Sequence, residues 1–190
     1  MNTDNIIHIK NMVCRRCVII VTQLFQKHGI QPVSVELGTV VLPQPLPPGT
    51  LAPIRRDLED CGFELIDDKR TRIIEQIRTA VIRYVQEDGL ADQANLSDYV
   101  SRQCHRDYSA LSKLFTETNG TTIEKYHIAQ KIERAKELLV YDELTIGEIA
   151  DKLHYSSAAH LSSQFRTVTG LSPSQFKQLK HPKLKPLDEV

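Results

Sequence analysis

"LTIGEIADKLHYSSAAHLSSQFRTVTGLSPSQFK", residues 144–177, decides the fold because the pattern occurs twice. Sliding the sequence on itself by 50 residues pairs Leu96 with Ile146, Asp98 with Glu148, Tyr99 with Ile149, Leu111 with Leu161 and Ser112 with Ser162. The same offset pairs Phe115 with Phe165, Gly120 with Gly170, Thr122 with Ser172 and Tyr126 with Phe176, without a gap. Each copy has a short amphipathic helix, a turn, a longer helix with apolar residues on one side, and a glycine stop. A Ser or Thr follows two residues later to cap the next helix. Between the copies, 122–141 reads as one long helix with Ile128, Ile132, Ala135, Leu138 and Leu139 on its inner face.

Helix, turn and longer helix is the helix-turn-helix pattern, in which a scaffold helix holds a second helix out to be read by DNA. On the helix expected from 157 to 169, Leu161, Phe165 and Val168 point inward, so Ala158, Ala159, His160, Ser163 and Arg166 face out or flank the groove. On the matching helix from 108 to 118, Leu111, Leu114 and Phe115 point inward and Ser109, Ser112 and Lys113 are presented. Serine, histidine and lysine can contact base edges or phosphates, and alanine can sit against a thymine methyl. Arg166 is assigned to a phosphate or a structural partner. For any single one of these residues, an ordinary solvated helix face is the alternative.

The residues 144–177, preceded by "KIERAKELL" (131–139), resemble the DNA-binding domain of the AraC-type bacterial transcription regulators. The resemblance runs from about Ile73 to Lys180 and rests on Ala150, Phe165, Arg166, Gly170, Pro173 and Phe176. It implies a seven-helix domain whose two recognition helices enter successive major-groove segments on one face of double-stranded DNA. Two positions depart from the family pattern. His154 stands where a turn glycine is usual, and Ala158 and Ala159 stand where many relatives carry a basic or amide side chain. The second reading head is therefore expected to rely more on shape and apolar contact.

The first 68 residues have a different grammar. A strand (6–11), an amphipathic helix (17–28) closed by Gly29 and a hairpin (33–42) precede the proline-rich loop "PQPLPPG" (43–49). A second helix with Leu51, Ile54, Leu58 and Cys61 on one face and a last strand "FELI" (63–66) follow. The order strand, helix, strand, strand, helix, strand is the split βαβ, ferredoxin-like plan, an α+β fold ahead of an all-α one. With "MVCRRC" (12–17) between its first strand and first helix and "CGF" before its last strand, the segment is similar to heavy-metal-associated domains of copper chaperones and metal-transport ATPases. Asn11 replaces the glycine usual before the methionine. The similarity implies that Cys14 and Cys17 bind a soft ion such as Cu(I), with Met12 packing under the loop. Thiolates are soft donors, and a helix N-terminus beside Arg15 and Arg16 should favour ionisation. Cys61 is a possible third ligand, although a cysteine on an apolar stripe is more often core. A reversible disulfide, a module that keeps only its fold as a partner surface, and cysteines that are simply small residues suited to a tight turn are the alternatives.

The 190 residues carry 24 basic and 24 acidic side chains, so bulk charge does not advertise a nucleic-acid partner. A mild basic excess does follow residue 144: Lys152, Arg166, Lys177, Lys180, Lys183 and Lys185 against Glu148, Asp151, Asp188 and Glu189. No apolar stretch is long enough to span a bilayer and no secretory pattern opens the chain, which gives the expectation of a cytoplasmic protein. No catalytic constellation or phosphate-binding glycine loop is present, so an enzyme is not expected. The organisation expected is 1–68 for the first domain and 69–182 for the DNA-binding domain, with helix-turn-helix units at about 95–120 and 145–170, and 183–190 as a tail. The function expected is a transcription regulator whose input is a soft metal or thiol state. Its partners would be DNA and, beyond it, RNA polymerase or a second copy of the chain. A metal-trafficking or scaffold protein with a helical interaction module is the competing class.

Overall fold

The computed structural model describes residues 5–47, 49–87, 89–179, 184–188 and 190. Lys180, His181, Lys183 and Glu189 therefore lie outside the described residues. The chain divides into two compact units, 1–79 and 80–190. The division falls inside a helix rather than at the composition change near residue 68.

Unit one contains β1 (Ile6–Lys10), α1 (Arg15–Lys27), β2 (Ser34–Glu36), β3 (Thr39–Val41), α2 (Leu51–Asp60), β4 (Glu64–Leu65) and the first part of α3 (Lys69–Gln86). The strands form one sheet in the order β2, β3, β1, β4, with every neighbouring pair antiparallel. Ile7 faces Val40 across one pair and Lys10 faces Glu64 across the other. Ile9, Val21, Phe25, Val40, Ile54 and Leu58 are fully buried between the sheet and α1 and α2. Each such side chain contributes about 1.5–3 kcal/mol of burial. Val33 lies outside β2 and is exposed.

Because strand side chains alternate, β1 sends Ile7 and Ile9 into that core and His8 and Lys10 to the other face. The start of α3 meets that other face. The Arg72 charge acts on His8, Lys10 acts on Glu75, and Thr79 Oγ1 lies 3.3 Å from where a Cβ on Gly38 would sit. Gly38 has φ +79, so a side chain there would meet both strain and contact. The expected boundary at 68/69 assigns the whole of α3 to the DNA-binding domain. The first half of the helix instead belongs to unit one.

Unit two continues from the end of α3 through α4 (Leu90–Gln93), α5 (Leu96–Cys104), α6 (Tyr108–Asn119), α7 (Ile123–Tyr141), α8 (Ile146–Lys152), α9 (Ala158–Thr169) and α10 (Pro173–Lys177). Every helix from α5 to α10 starts on a side-chain cap, in order Asn95, Asp107, Thr122, Thr145, Ser157 and Ser172. Thr145 with Glu148 and Ser172 with Gln175 complete capping boxes. The first turn of α7 closes one core, with the Phe115 and Tyr126 rings 5.6 Å apart. Helix α10 closes the other, with Phe165 and Phe176 5.5 Å apart. The second half of α7, through Ile132, Ala135, Leu138 and Leu139, is the scaffold of the second core.

Candidate nucleic-acid interface

The two copies share one burial plan. Across 94–100 and 106–126, each residue has the same degree of exposure as the residue fifty positions on. The match fails only in the turn, 101–105 against 151–155. There the left-handed residues are His105 (φ 51) and His154 (φ 52), which are 49 apart. The first copy has one more residue before this point and one fewer before the cap of its second helix, so the two changes cancel. In both turns the left-handed residue donates to the carbonyl three residues back, and the next residue donates to the carbonyl five back. His154 therefore does occupy a left-handed position, and His105 is its counterpart, hidden from the alignment by the one-residue shift.

The second helix of each unit, α6 or α9, buries Leu111 and Phe115 or Leu161 and Phe165 and leaves the rest outward. Of the eight side chains expected on the reading surface, Ser109, Lys113, Ala159, His160, Ser163 and Arg166 are exposed. Ser112 is half-buried, and Ala158 is half-buried against the second core. Both lie at the shoulder of their helix rather than on its crest. Val168 was expected to point inward but is 47% exposed. It sits one turn past the last core position, where its counterpart Thr118 is also exposed. Ala110 and Thr116 share the outward face and were missed, since neither residue type advertises a contact.

Local chemistry fixes several of these groups. The Ser109 hydroxyl and backbone N–H both donate to the Asp107 carboxylate, and these bonds, with one from Ala110 N–H, hold the Asp107 pKa below its ordinary value. Tyr108 Oη donates to Glu124 across the unit at 2.5 Å. On the second head, His160 Nδ1 lies 3.1 Å from Ser156 Oγ, and its ring meets Tyr155 edge-on at 5.3 Å. Tyr155 Oη donates to Gln164 at 2.6 Å, and Lys131 Nζ lies 3.8 Å over the same ring. Burial brings Lys131 down to about 8. His160 is thus held by its Nδ1 edge, with no partner for Nε2 among the described residues.

The cysteine motif lies in unit one. Cys14 and Cys17 are half-buried, with sulfur atoms 3.5 Å apart, at the start of α1. Burial pushes the Cys14 thiol up, but hydrogen bonds from Cys17 and from Arg16 outweigh it and leave its pKa lowered. Burial keeps Cys17 raised. Backbone donors at the helix start thus carry much of the effect expected of the arginine charges. Met12 is buried in the core, and Asn11 adopts φ +70 while donating to the Gly62 carbonyl at 3.0 Å, which accounts for an asparagine where glycine is usual. Cys61 is exposed at the end of α2. Among the described residues no three His, Cys, Asp or Glu side chains group as a metal site. Cys104 is buried and pushed up to about 11, an inert core thiol.

Two units with one burial plan and two outward helices define a double helix-turn-helix module. A helix-turn-helix domain family model matches residues 90–179. The Msm operon regulatory protein of Streptococcus mutans is 27% identical over 79 residues, covering 42% of this chain and 28% of that protein. The transcriptional activator RhaS of Escherichia coli is 28% identical over 92 residues, covering 48% of this chain and 33% of that one. The C-terminal domain of AraT, a response regulator from Geobacillus stearothermophilus, has a similar fold. Its TM-score is 0.50 at 22% identity, covering 58% of this chain and 88% of that one. The chain spans 11–33% of the length of the curated relatives it matches. No described helix is long and apolar enough to cross a membrane.

Proposed function

We propose that the chain is a sequence-specific transcription regulator of the cytoplasm that places α6 and α9 in two adjacent major-groove segments of double-stranded DNA. The observation that carries this reading is the contrast between inside and outside. Positions 111 and 161, and 115 and 165, are identical and buried, whereas 109/159, 110/160, 113/163, 116/166, 117/167 and 118/168 are all exposed and all differ. Two copies of one scaffold that present different chemistry suit the reading of two different half-sites. RNA polymerase or a second copy of the chain is the further partner class.

Unit one is, in this proposal, a ferredoxin-like, heavy-metal-associated-type input module that senses a soft ion or thiol state. Its strand order and the half-buried pair at the start of α1 support that reading. The two sulfur atoms lie 3.5 Å apart, so both can reach one ion with little rearrangement of the loop. Cys14 and Cys17 would hold Cu(I) as thiolates, and the same pair could close to a disulfide.

The test selects binding sites from a random duplex library with the full chain. Affinity for the selected site is then measured apo, with Cu(I) and oxidised, for the wild type and Cys14→Ser. Selection of a bipartite site supports the DNA reading, and failure to enrich any sequence overturns it. A ligand-dependent affinity that vanishes in Cys14→Ser supports the sensing reading. Equal affinities in all states remove ligand control of DNA affinity.

A further inference from the structure

Unit one holds a cavity of about 530 Å³ that neither the cysteine pair nor the DNA-reading surface uses. It lies at the opposite end of β1 from Cys14. Its walls are the start of β1, the end of β4 with the following residues, Pro45, Leu46, Pro47 and Gly49 of the loop, and the first turn of α3. The volume falls within the range of about 300–1,000 Å³ typical of small-molecule sites.

Its lining is of two kinds. Ile6, Leu42, Leu46, Leu51 and Leu65 make it apolar, and Arg72 and His8 supply the polar edge. The Arg72 guanidinium already donates through Nε to the Ile66 carbonyl at 3.4 Å and through Nη2 to the Asp67 carbonyl at 2.9 Å. Those bonds fix its plane and leave Nη1 without a partner among the described residues. The Asp67 carboxylate, which also borders the cavity, is paired with Arg55 at 3.0 Å, and the Arg72 charge acts on the neighbouring Asp68 without a hydrogen bond to it among the described residues. His8 is half-buried, and its ring nitrogens have no hydrogen-bond partner among the described residues. Burial first, and the Arg72 charge second, lower its pKa, so its ring stays neutral at pH 7. Pro45 and Pro47 in the facing loop have fixed φ, which resists collapse of that wall onto β1.

We propose that this cavity is a binding site for a small organic carboxylate with an apolar body, the carboxylate on Arg72 and His8 and the body against Leu42, Leu46 and Leu65. A planar guanidinium already held by two carbonyls is preorganised for a carboxylate. The leucine walls favour a branched or aromatic body over a bare anion. This site goes beyond the DNA-binding and thiol-sensing readings and depends on neither.

The test is titration calorimetry of the full chain with phenylacetate, 4-methylpentanoate, the uncharged phenylacetamide and inorganic phosphate. The expected result is saturable binding of at least one acid, with amide and phosphate at least about tenfold weaker. Arg72→Gln should weaken the acid by at least about tenfold. Because Arg72 also ties down two carbonyls, Leu46→Trp is the second variant. It fills the cavity, should abolish binding, and as the sole tryptophan reports the folded state by its emission. Absence of saturable binding by either acid, an amide or phosphate that binds as tightly, or unchanged affinity in folded Leu46→Trp overturns the proposal.

Discussion

The two reading heads are one scaffold used twice, and they differ where water or a ligand would meet them. Head one, α5 and α6, places Lys113 on its outward helix and Arg102 and Arg106 in the preceding helix and turn. Head two, α8 and α9, carries His160 and Arg166 on the outward helix itself, with His160 braced by Ser156 and Tyr155. Head one caps its reading helix with an ionised Asp107 and head two with a neutral Ser157. A core tolerates few residues at a given volume, so the duplicated interior stays alike. The outward positions carry no such constraint and are free to differ.

The strongest way to break this comparison is to attack the shared interior. Phe115 and Phe165 are both essentially inaccessible and both pack on an aromatic partner. Phe115→Ala and Phe165→Ala should each cost about 3–5 kcal/mol in denaturant unfolding and agree within about 1 kcal/mol. Costs that differ by more would show that equal burial does not mean equal packing.

The outward helices should behave in the opposite way. On a selected DNA site, His160→Ala should cost about 1–3 kcal/mol and relax base preference under head two only, read by mobility shift on single-base variants of the site. Arg166→Ala should weaken all variants alike and reduce the salt slope by about 1. A loss of base preference in Arg166→Ala, or none in His160→Ala, reverses the assigned roles.

Repetition made the helical half legible, because a fifty-residue offset, two glycine stops and Ser or Thr caps announce boundaries without any structure. What repetition hid is the turn. Histidine gives no signal of a left-handed backbone as glycine does, so His105 and His154 could not be aligned and a compensated one-residue shift looked like none. Val168 misled for the converse reason, an apolar residue at helical spacing that lies beyond the end of the core. In unit one, the strands and the two helices follow from alternation and periodicity. The placement of α3 on the sheet does not, since its stripe fits any apolar surface. The cavity was unreadable because its wall is a loop, which sequence marks as irregular without saying where it lies.

Smaller effects separate the caps. Ser157→Ala should cost about 1 kcal/mol at any pH. In head one, the hydrogen bonds that depress Asp107 stabilise the start of α6 above the ordinary aspartate pKa and are lost as pH falls through the lowered one. In head two the depressed carboxylate is Glu148, bonded to Thr145, so acid loosens the scaffold helix α8 rather than α9. Amide exchange at neutral pH and at a pH below both carboxylates should show α6 losing protection at its first turn while the first turn of α9 keeps it. Equal loss in both would erase the distinction.

The smallest effect has the opposite sign. A non-glycine residue in the left-handed region costs roughly 1–2 kcal/mol, and glycine returns part of that through the greater entropy of its unfolded chain. His105→Gly and His154→Gly should therefore stabilise unit two in thermal or denaturant unfolding, by about 0.5–1 kcal/mol for His105. The gain should be less for His154, which borders a small cavity with His127 and Lys131 and makes a further interaction that glycine would remove. If His154→Gly stabilises as much as His105→Gly, that interaction adds nothing and the two turns are as equivalent as the two cores. If it destabilises, the histidine side chain is part of the second head's structure, and the two heads differ at the turn as well as on the face they present.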